Sequence, residues 1–324
     1  MEPVDHTLLD GVLARQLRPL AKAITLIESQ REDHRARARV LLEALLPHTG
    51  GAMRIGISGV PGVGKSTFIE AFGLYLIEQG LRVAVLAVDP SSTLSGGSIL
   101  GDKTRMELLS REPAAFIRPS PSACSLGGVA EKTREVMLVC EASGFDVIVV
   151  ETVGVGQSEI AVAGMTDLFC LLQLPNAGDE LQAIKKGVME LADLIVINKA
   201  DINPVAARTA RAQIKTALHM LRPMSPNWPV PVLTMSALRK EGIAEFWDTA
   251  KRYRDTLTAS GEFAARRKHQ AATWMWELID AGLKQRFRQH PRVTAALPGF
   301  VEAVEEGRVT PSAAARELLS FLNE

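Results

Sequence analysis

Cysteine is scarce in this chain: Cys124, Cys140 and Cys170 form an odd set with no CxxC spacing. Such a set builds no disulfide framework, and reduced, buried thiols are expected. The six histidines fall in neither an HxH nor an HExxH pattern, so no transition-metal site is legible. Net charge is missing as well, because 37 basic side chains balance 37 acidic ones. That balance argues against a nucleic-acid binder working by bulk electrostatics. No apolar run approaches the roughly eighteen residues that a bilayer span needs. The opening MEPVDHTLLDGVLARQL carries early acids and lacks the basic-then-apolar order of a secretory signal, so a cytoplasmic protein is expected. What the 324 residues do have is a 47% hydrophobic share. This suffices to bury a sizeable core and excludes wholesale disorder.

The chain divides into three zones, read as a helical extension over 1–50, a central α/β domain over 51–250 and a helical region over 251–324. In the first, Leu9, Val12, Leu13 and Leu17 recur at helix spacing, as do Leu20, Ile24 and Ile27, then Leu41, Leu42, Leu45 and Leu46. In the second, six short runs alternate with helical stretches: RIGISGV, RVAVLAVD, DVIVVE, DLFCLLQL, DLIVINKAD and VPVLTMSA. They are apolar on both faces, which predicts strands buried on both sides in a mostly parallel sheet flanked by helices. In the third zone Trp274, Leu278 and Ala281 mark a stripe beside Met275, Ile279 and Leu283. His290-Pro291 and Leu297-Pro298-Gly299 read as breaks, and Thr310-Pro311 as a capped helix start.

The sharpest motif is Gly59-Val60-Pro61-Gly62-Val63-Gly64-Lys65-Ser66, a full GxxxxGK[ST] between a strand and the helix opened by Thr67. Its glycines let backbone amides wrap phosphates, Lys65 is placed to reach the β- and γ-phosphates, and Ser66 to ligate Mg²⁺. Asn198-Lys199-Ala200-Asp201 follows a later strand. A carboxylate there accepts the N1–H and 2-amino hydrogens of guanine, which adenine does not pair, so GTP is selected over ATP. The Lys199 stem is expected along the base, with the Asn198 amide bracing the loop. Ser236-Ala237-Leu238 reads as a second base-contacting loop, with the Ala237 N–H directed at guanine O6. Glu151 ends a buried strand where an acid holds Mg²⁺, directly or through water, and Gly154 follows it as a candidate γ-phosphate contact. Asp89 ends the second strand, ahead of a Gly/Ser-rich loop with Asp102 and Arg105. Asp89 is a candidate for aligning water or holding the metal, Asp102 for the Mg²⁺ shell and Arg105 for neutralising phosphate charge. A solvated loop is the competing reading. Val155 follows Gly154 and Gln157 lies farther on, so hydrolysis is expected to use another device than a glutamine next to that glycine. PNAGDELQAIKKG, carrying Asp179, Gln182, Lys185 and Lys186, reads as a surface element or a solvated helix.

Together GVPGVGKST, VDPSS, GDKTRM, VETVGVGQSE, PNAGDELQAIKKG and NKAD resemble the MeaB/ArgK-type GTPases, over nearly the whole chain. The resemblance implies a homodimer with dimer contacts in the C-terminal helices. It also implies binding to methylmalonyl-CoA mutase, gating of adenosylcobalamin delivery into that partner, and protection of it from inactivation. GDKTRM would be a first switch with Asp102 and Arg105, VETVGVGQSE a second reaching Gln157, and PNAGDELQAIKKG a third. Adenosylcobalamin would be handled by the partner rather than held tightly here. Alternatives are a nickel-insertion GTPase, disfavoured by the absent Cys/His clusters, and service to another cobalamin-dependent mutase. A kinase or transport ATPase acting on basic amino acids is disfavoured by Asp201, and a merely structural dimer by Lys65, Asp89 and Glu151 together.

Overall fold

A computed structural model of the chain describes residues 3–88, 106–119, 126–152, 157–175, 186–221 and 224–323. It contains two compact units, Met1–Arg267 and Lys268–Glu324. Helices α1 (Pro3–Leu13), α2 (Leu17–Glu28) and α3 (Glu32–Leu45) precede β1 (Met53–Gly59). Then come α4 (Lys65–Glu78), β2 (Val83–Val88), β3 (Ala115–Arg118), α5 (Leu126–Ala142) and β4 (Val147–Thr152). They are followed by α6 (Gln157–Ala163), β5 (Leu168–Gln173), α7 (Lys186–Glu190), β6 (Leu194–Ile197), α8 (Pro204–His219), β7 (Val232–Thr234) and α9 (Ile243–Ala259). The chain closes with α10 (Glu262–Gln289), α11 (Pro291–Glu305) and α12 (Pro311–Ser320).

The strands form one seven-stranded sheet in the order β3-β2-β4-β1-β5-β6-β7, every neighbouring pair parallel. Six of the seven match apolar runs of the sequence. The exception is β3, four residues at the edge with alternating burial, too short for its pattern to stand out. Burial on both faces follows from two layers of cover. Ala84, Leu86, Ile148, Val150, Phe169 and Ile195 point into a core shared with α1, α2, α3 and α5. Ile55, Ile57, Val85, Val149, Cys170 and Val196 point into one shared with α4 and α9. The N-terminal helices thus cover one face of the sheet. In the second core Phe68 and Phe72 of α4 meet Phe246 of α9 edge-on, both at 4.9 Å. Cys140 and Cys170 are free and buried, and burial pushes both thiols up, which fits inert packing groups. Cys124 lies outside the described residues.

At the amino edge of the sheet two buried carboxylates fasten the start of α10. Asp167 receives Arg267 through Nε at 2.7 Å and a terminal nitrogen at 2.6 Å, and also the Arg54 N–H at 2.8 Å. Asp193 receives Arg266 in the same forked manner, both bonds 2.9 Å, and the Phe169 N–H. Tyr253 donates to the Asp167 carbonyl at 2.8 Å. Asp167 and Asp193 immediately precede β5 and β6, so the fork geometry fixes where those strands begin.

In the second unit α11 starts at Pro291, as the sequence indicates, and Thr310 caps α12 by accepting from the Ala313 N–H. Leu297-Pro298-Gly299 corrects the sequence reading, because α11 runs straight through it. Proline deletes one N–H, and the affected turn at Thr294 and Pro298 is exposed, so water can take the freed carbonyl. None of the described helices is long and apolar enough to cross a membrane.

Candidate nucleotide-binding site

The phosphate cradle grows out of β1, whose last residue, Gly59, adopts φ +152° and whose Cβ would lie 2.6 Å from the Leu172 carbonyl. Gly64, at φ +96°, caps α4, and a Cβ there would lie 2.7 Å from the Asn198 amide nitrogen. Only glycine satisfies both the left-handed backbone and that approach. The first turn of α4 then presents its N–H groups and positive dipole end to the loop, the arrangement that receives phosphate. Lys65 folds back over the cradle, donating to the Gly59 carbonyl at 2.7 Å and the Val60 carbonyl at 3.4 Å. Ser66 donates to Glu151 at 3.3 Å. Glu151 is buried at the end of β4, which pairs it in register with Ile57 of β1. Behind them Thr152 donates to Ser58 at 3.0 Å, a buried polar bond joining β4 to β1 that the sequence reading did not anticipate. Thr67, Pro61 and Gly62 are exposed on the rim, while Val63 is buried in the core beneath.

The base side is tied to this cradle by two side chains. Asn198, buried at the end of β6, donates to the Val63 carbonyl at 2.9 Å and accepts from the Ala237 N–H at 3.0 Å. Lys199 sits in the left-handed region at φ +59° and sends its ammonium to the Gly62 carbonyl at 2.8 Å. A non-glycine residue held there stores strain that the two loops must offset. The expected brace by Asn198 is therefore present, but one expectation is corrected. The Ala237 N–H, assigned from sequence to guanine O6, donates instead to the Asn198 amide oxygen at 3.0 Å. Leu238, the third residue of that loop, is 80% exposed. Ser236 closes the loop through two backbone bonds with Glu241. Its hydroxyl, bonded to the Asp201 carboxylate, is the main reason that carboxylate is held below its usual range; desolvation opposes this, and the Asp201 backbone N–H, Arg239 and Lys199 add to it. Asp201 is thus a charged acceptor, with Arg239 at 3.6 Å beside it.

The described residues therefore bring together Gly59 to Ser66, Glu151, Asn198, Lys199, Asp201, Ser236 and Ala237. Gln157 and Lys186 appear as the first residues of α6 and α7. Asp89, Asp102, Arg105, Gly154, Asp179, Gln182 and Lys185 lie outside the described residues. No cluster of three or more His, Cys, Asp or Glu that could hold a metal occurs among the described residues. The oxygens of Ser66 and Glu151, paired across the head of α4, form a hard-donor edge of the kind Mg²⁺ takes together with phosphate oxygens.

A phosphate cradle and a carboxylate-bearing base loop, laced together at the carboxyl edge of one parallel sheet, place the chain among the P-loop GTPases. The family model described as methylmalonyl-CoA mutase-associated GTPase MeaB matches residues 20–292. The mitochondrial methylmalonic aciduria type A homolog of Mus musculus is 48% identical over 323 residues, 96% of this chain and 78% of that protein. The GTPase ArgK of Escherichia coli K12 is 48% identical over 304 residues, 94% of this chain and 92% of that one. A crystal structure titled LAO/AO transport system kinase superposes with TM-score 0.81 at 40% identity, covering 100% of this chain and 99% of that chain. The chain belongs to the MeaB family of GTPases.

Proposed function

We propose that this GTPase associates with methylmalonyl-CoA mutase and uses its hydrolysis cycle to time the loading of adenosylcobalamin into that partner and to protect it from inactivation. The observation that carries this reading is the family match over residues 20–292, supported by the 48% identity to the mouse methylmalonic aciduria type A homolog. The Asp201 loop supports GTP rather than ATP as the fuel, since a charged carboxylate acceptor left unmatched penalises adenine.

For the chemistry, water attacks the γ-phosphate in line. Lys65, bonded here to the Gly59 and Val60 carbonyls, turns to the phosphate oxygens. Its charge then offsets the charge that develops as the bond to the leaving group breaks. Ser66 and Glu151 would hold Mg²⁺, with Asp89 and Asp102 as further candidates. Once bound, the ion screens the phosphates as a Lewis acid. Asp89 is assigned to aligning the water, and Arg105 to neutralising phosphate charge. Gly154 and Gln157 belong to a second switch, and Asp179, Gln182, Lys185 and Lys186 to a third that signals to the partner.

The active form is proposed to be a homodimer formed through the C-terminal helices. In support, α10 has 28 residues of which none is buried, and it exposes Trp276, Ile279 and Leu283 at helical spacing. The test is to mix the chain with methylmalonyl-CoA mutase and a non-hydrolysable GTP analogue, then measure complex formation and GTP turnover. A nucleotide-dependent complex with faster turnover is expected. No complex and an unchanged rate would sink the proposal. A complex formed only with another cobalamin-dependent acyl-CoA mutase would reassign the client.

A further inference from the structure

On the first unit, at the edge of the sheet opposite the nucleotide, lies a groove of about 660 Å³ that none of the roles above uses. It is lined by the end of α7, the last turns of α8, the segment leading into β7, and Arg252 of α9. Its floor is apolar and fixed. Met189 and Trp228 are buried there beside Leu218 and Val230. The Trp228 ring packs edge-on against Tyr253 at 5.1 Å, and its N–H is spent on the Asp193 carbonyl at 2.8 Å. Among the described residues the charged groups of the lining stand at the lip, where Lys215, His219, Arg252 and Glu190 are all exposed.

We infer that this groove docks an apolar, acidic helical segment of a partner protein. Two observations select that occupant. A site for a small molecule needs polar groups converging in its floor to fix orientation. Here the one polar atom of the tryptophan floor is already paired. An apolar centre inside a charged, solvent-reachable lip is instead the anatomy of a protein contact. The second observation is sign. Among the described lining residues Lys215 and Arg252, with His219 beside them, face a single acid, Glu190, in a chain whose overall charge is zero. A local excess of cations on a neutral protein steers an acidic segment and penalises a basic one. Met189 and Met224 suit this task, because unbranched thioethers adapt to a helix laid across them. The inference stands apart from the mutase reading, since it rests on the groove alone.

The test uses the full chain and two labelled, amidated helical peptides. Both carry leucine at i, i+3, i+4 and i+7; one has glutamate at the flanking positions and the other lysine. Fluorescence anisotropy is expected to show the glutamate peptide binding at least about tenfold more tightly. Lys215→Glu and Arg252→Glu should each weaken it by about tenfold, and the free chain's GTP turnover should stay unchanged. With methyl-labelled methionine, the Met189 and Met224 signals should shift on peptide addition. Equal binding of the two peptides, or saturation without those shifts, overturns the inference. So do shifts driven by protein concentration alone, which would assign the groove to a second copy. Shifts produced by dodecanoate where the glutamate peptide gives none would assign it to a small amphiphile and overturn it equally.

Discussion

Replacing Asp201 by asparagine is a near-isosteric change that tests guanine selection directly. The carboxylate is a charged acceptor, held so mainly by the Ser236 hydroxyl, and only 11% of its side chain is exposed. Arg239, 61% exposed at 3.6 Å, adds little because water screens it. The substitution keeps one acceptor oxygen and turns an NH₂ toward a guanine donor. One charge-assisted hydrogen bond is lost and two donors are left facing each other, so GTP affinity should fall by about a thousandfold. Xanthine presents a carbonyl where guanine has its amino group, so XTP should gain over the same range. Displacement of a fluorescent guanine nucleotide by GDP and XDP measures both. An Asp201→Asn chain that binds GDP within about threefold of the wild type would refute the assignment of Asp201 as the base-reading group.

Asn198→Ala leaves the Val63 carbonyl and the Ala237 N–H without their partner and should destabilise the fold by about 2–5 kcal/mol, read by urea unfolding. Lys65→Ala should abolish measurable GTP hydrolysis while the nucleotide-free chain keeps its melting behaviour; retained turnover would remove Lys65 from the chemistry. Because the Asp201 pKa is depressed, the carboxylate stays charged as pH falls through the ordinary carboxylate range, and its contribution is lost only below that range. The preference for GDP over IDP should therefore be flat from pH 8 down to about pH 5, and a decline centred inside that window would contradict a depressed Asp201 carboxylate. Arg267→Met strips a forked partner from buried Asp167 and should cost about 3–5 kcal/mol in denaturant unfolding.

The sequence makes some parts of this molecule plain because their signal is local. GVPGVGKS and NKAD each place their chemistry within a few consecutive residues, and a parallel strand buried on both faces reads as an unbroken apolar run. What it hides depends on partners distant along the chain. The Arg267–Asp167 pair joins positions 100 apart, and Arg266–Asp193 joins positions 73 apart. Nothing near either arginine distinguishes it from the solvated charges around it. Edge strand β3 is short and alternates, so its four residues carry too little pattern. The Ala237 error has a different cause. Which acceptor the Ala237 N–H takes is decided by where Asn198 lies in space, and no pattern near Ala237 carries that.

The double attachment of Asn198 has a consequence for evolution and engineering alike. One amide holds the Val63 carbonyl of the phosphate-gripping loop and the Ala237 N–H of the loop proposed to border the purine. The two ends of the ligand are therefore not read by independent modules. A substitution that reshapes the base pocket will loosen the grip on the tail, and a search for altered nucleotide preference must rebuild both loops together or forfeit tight binding.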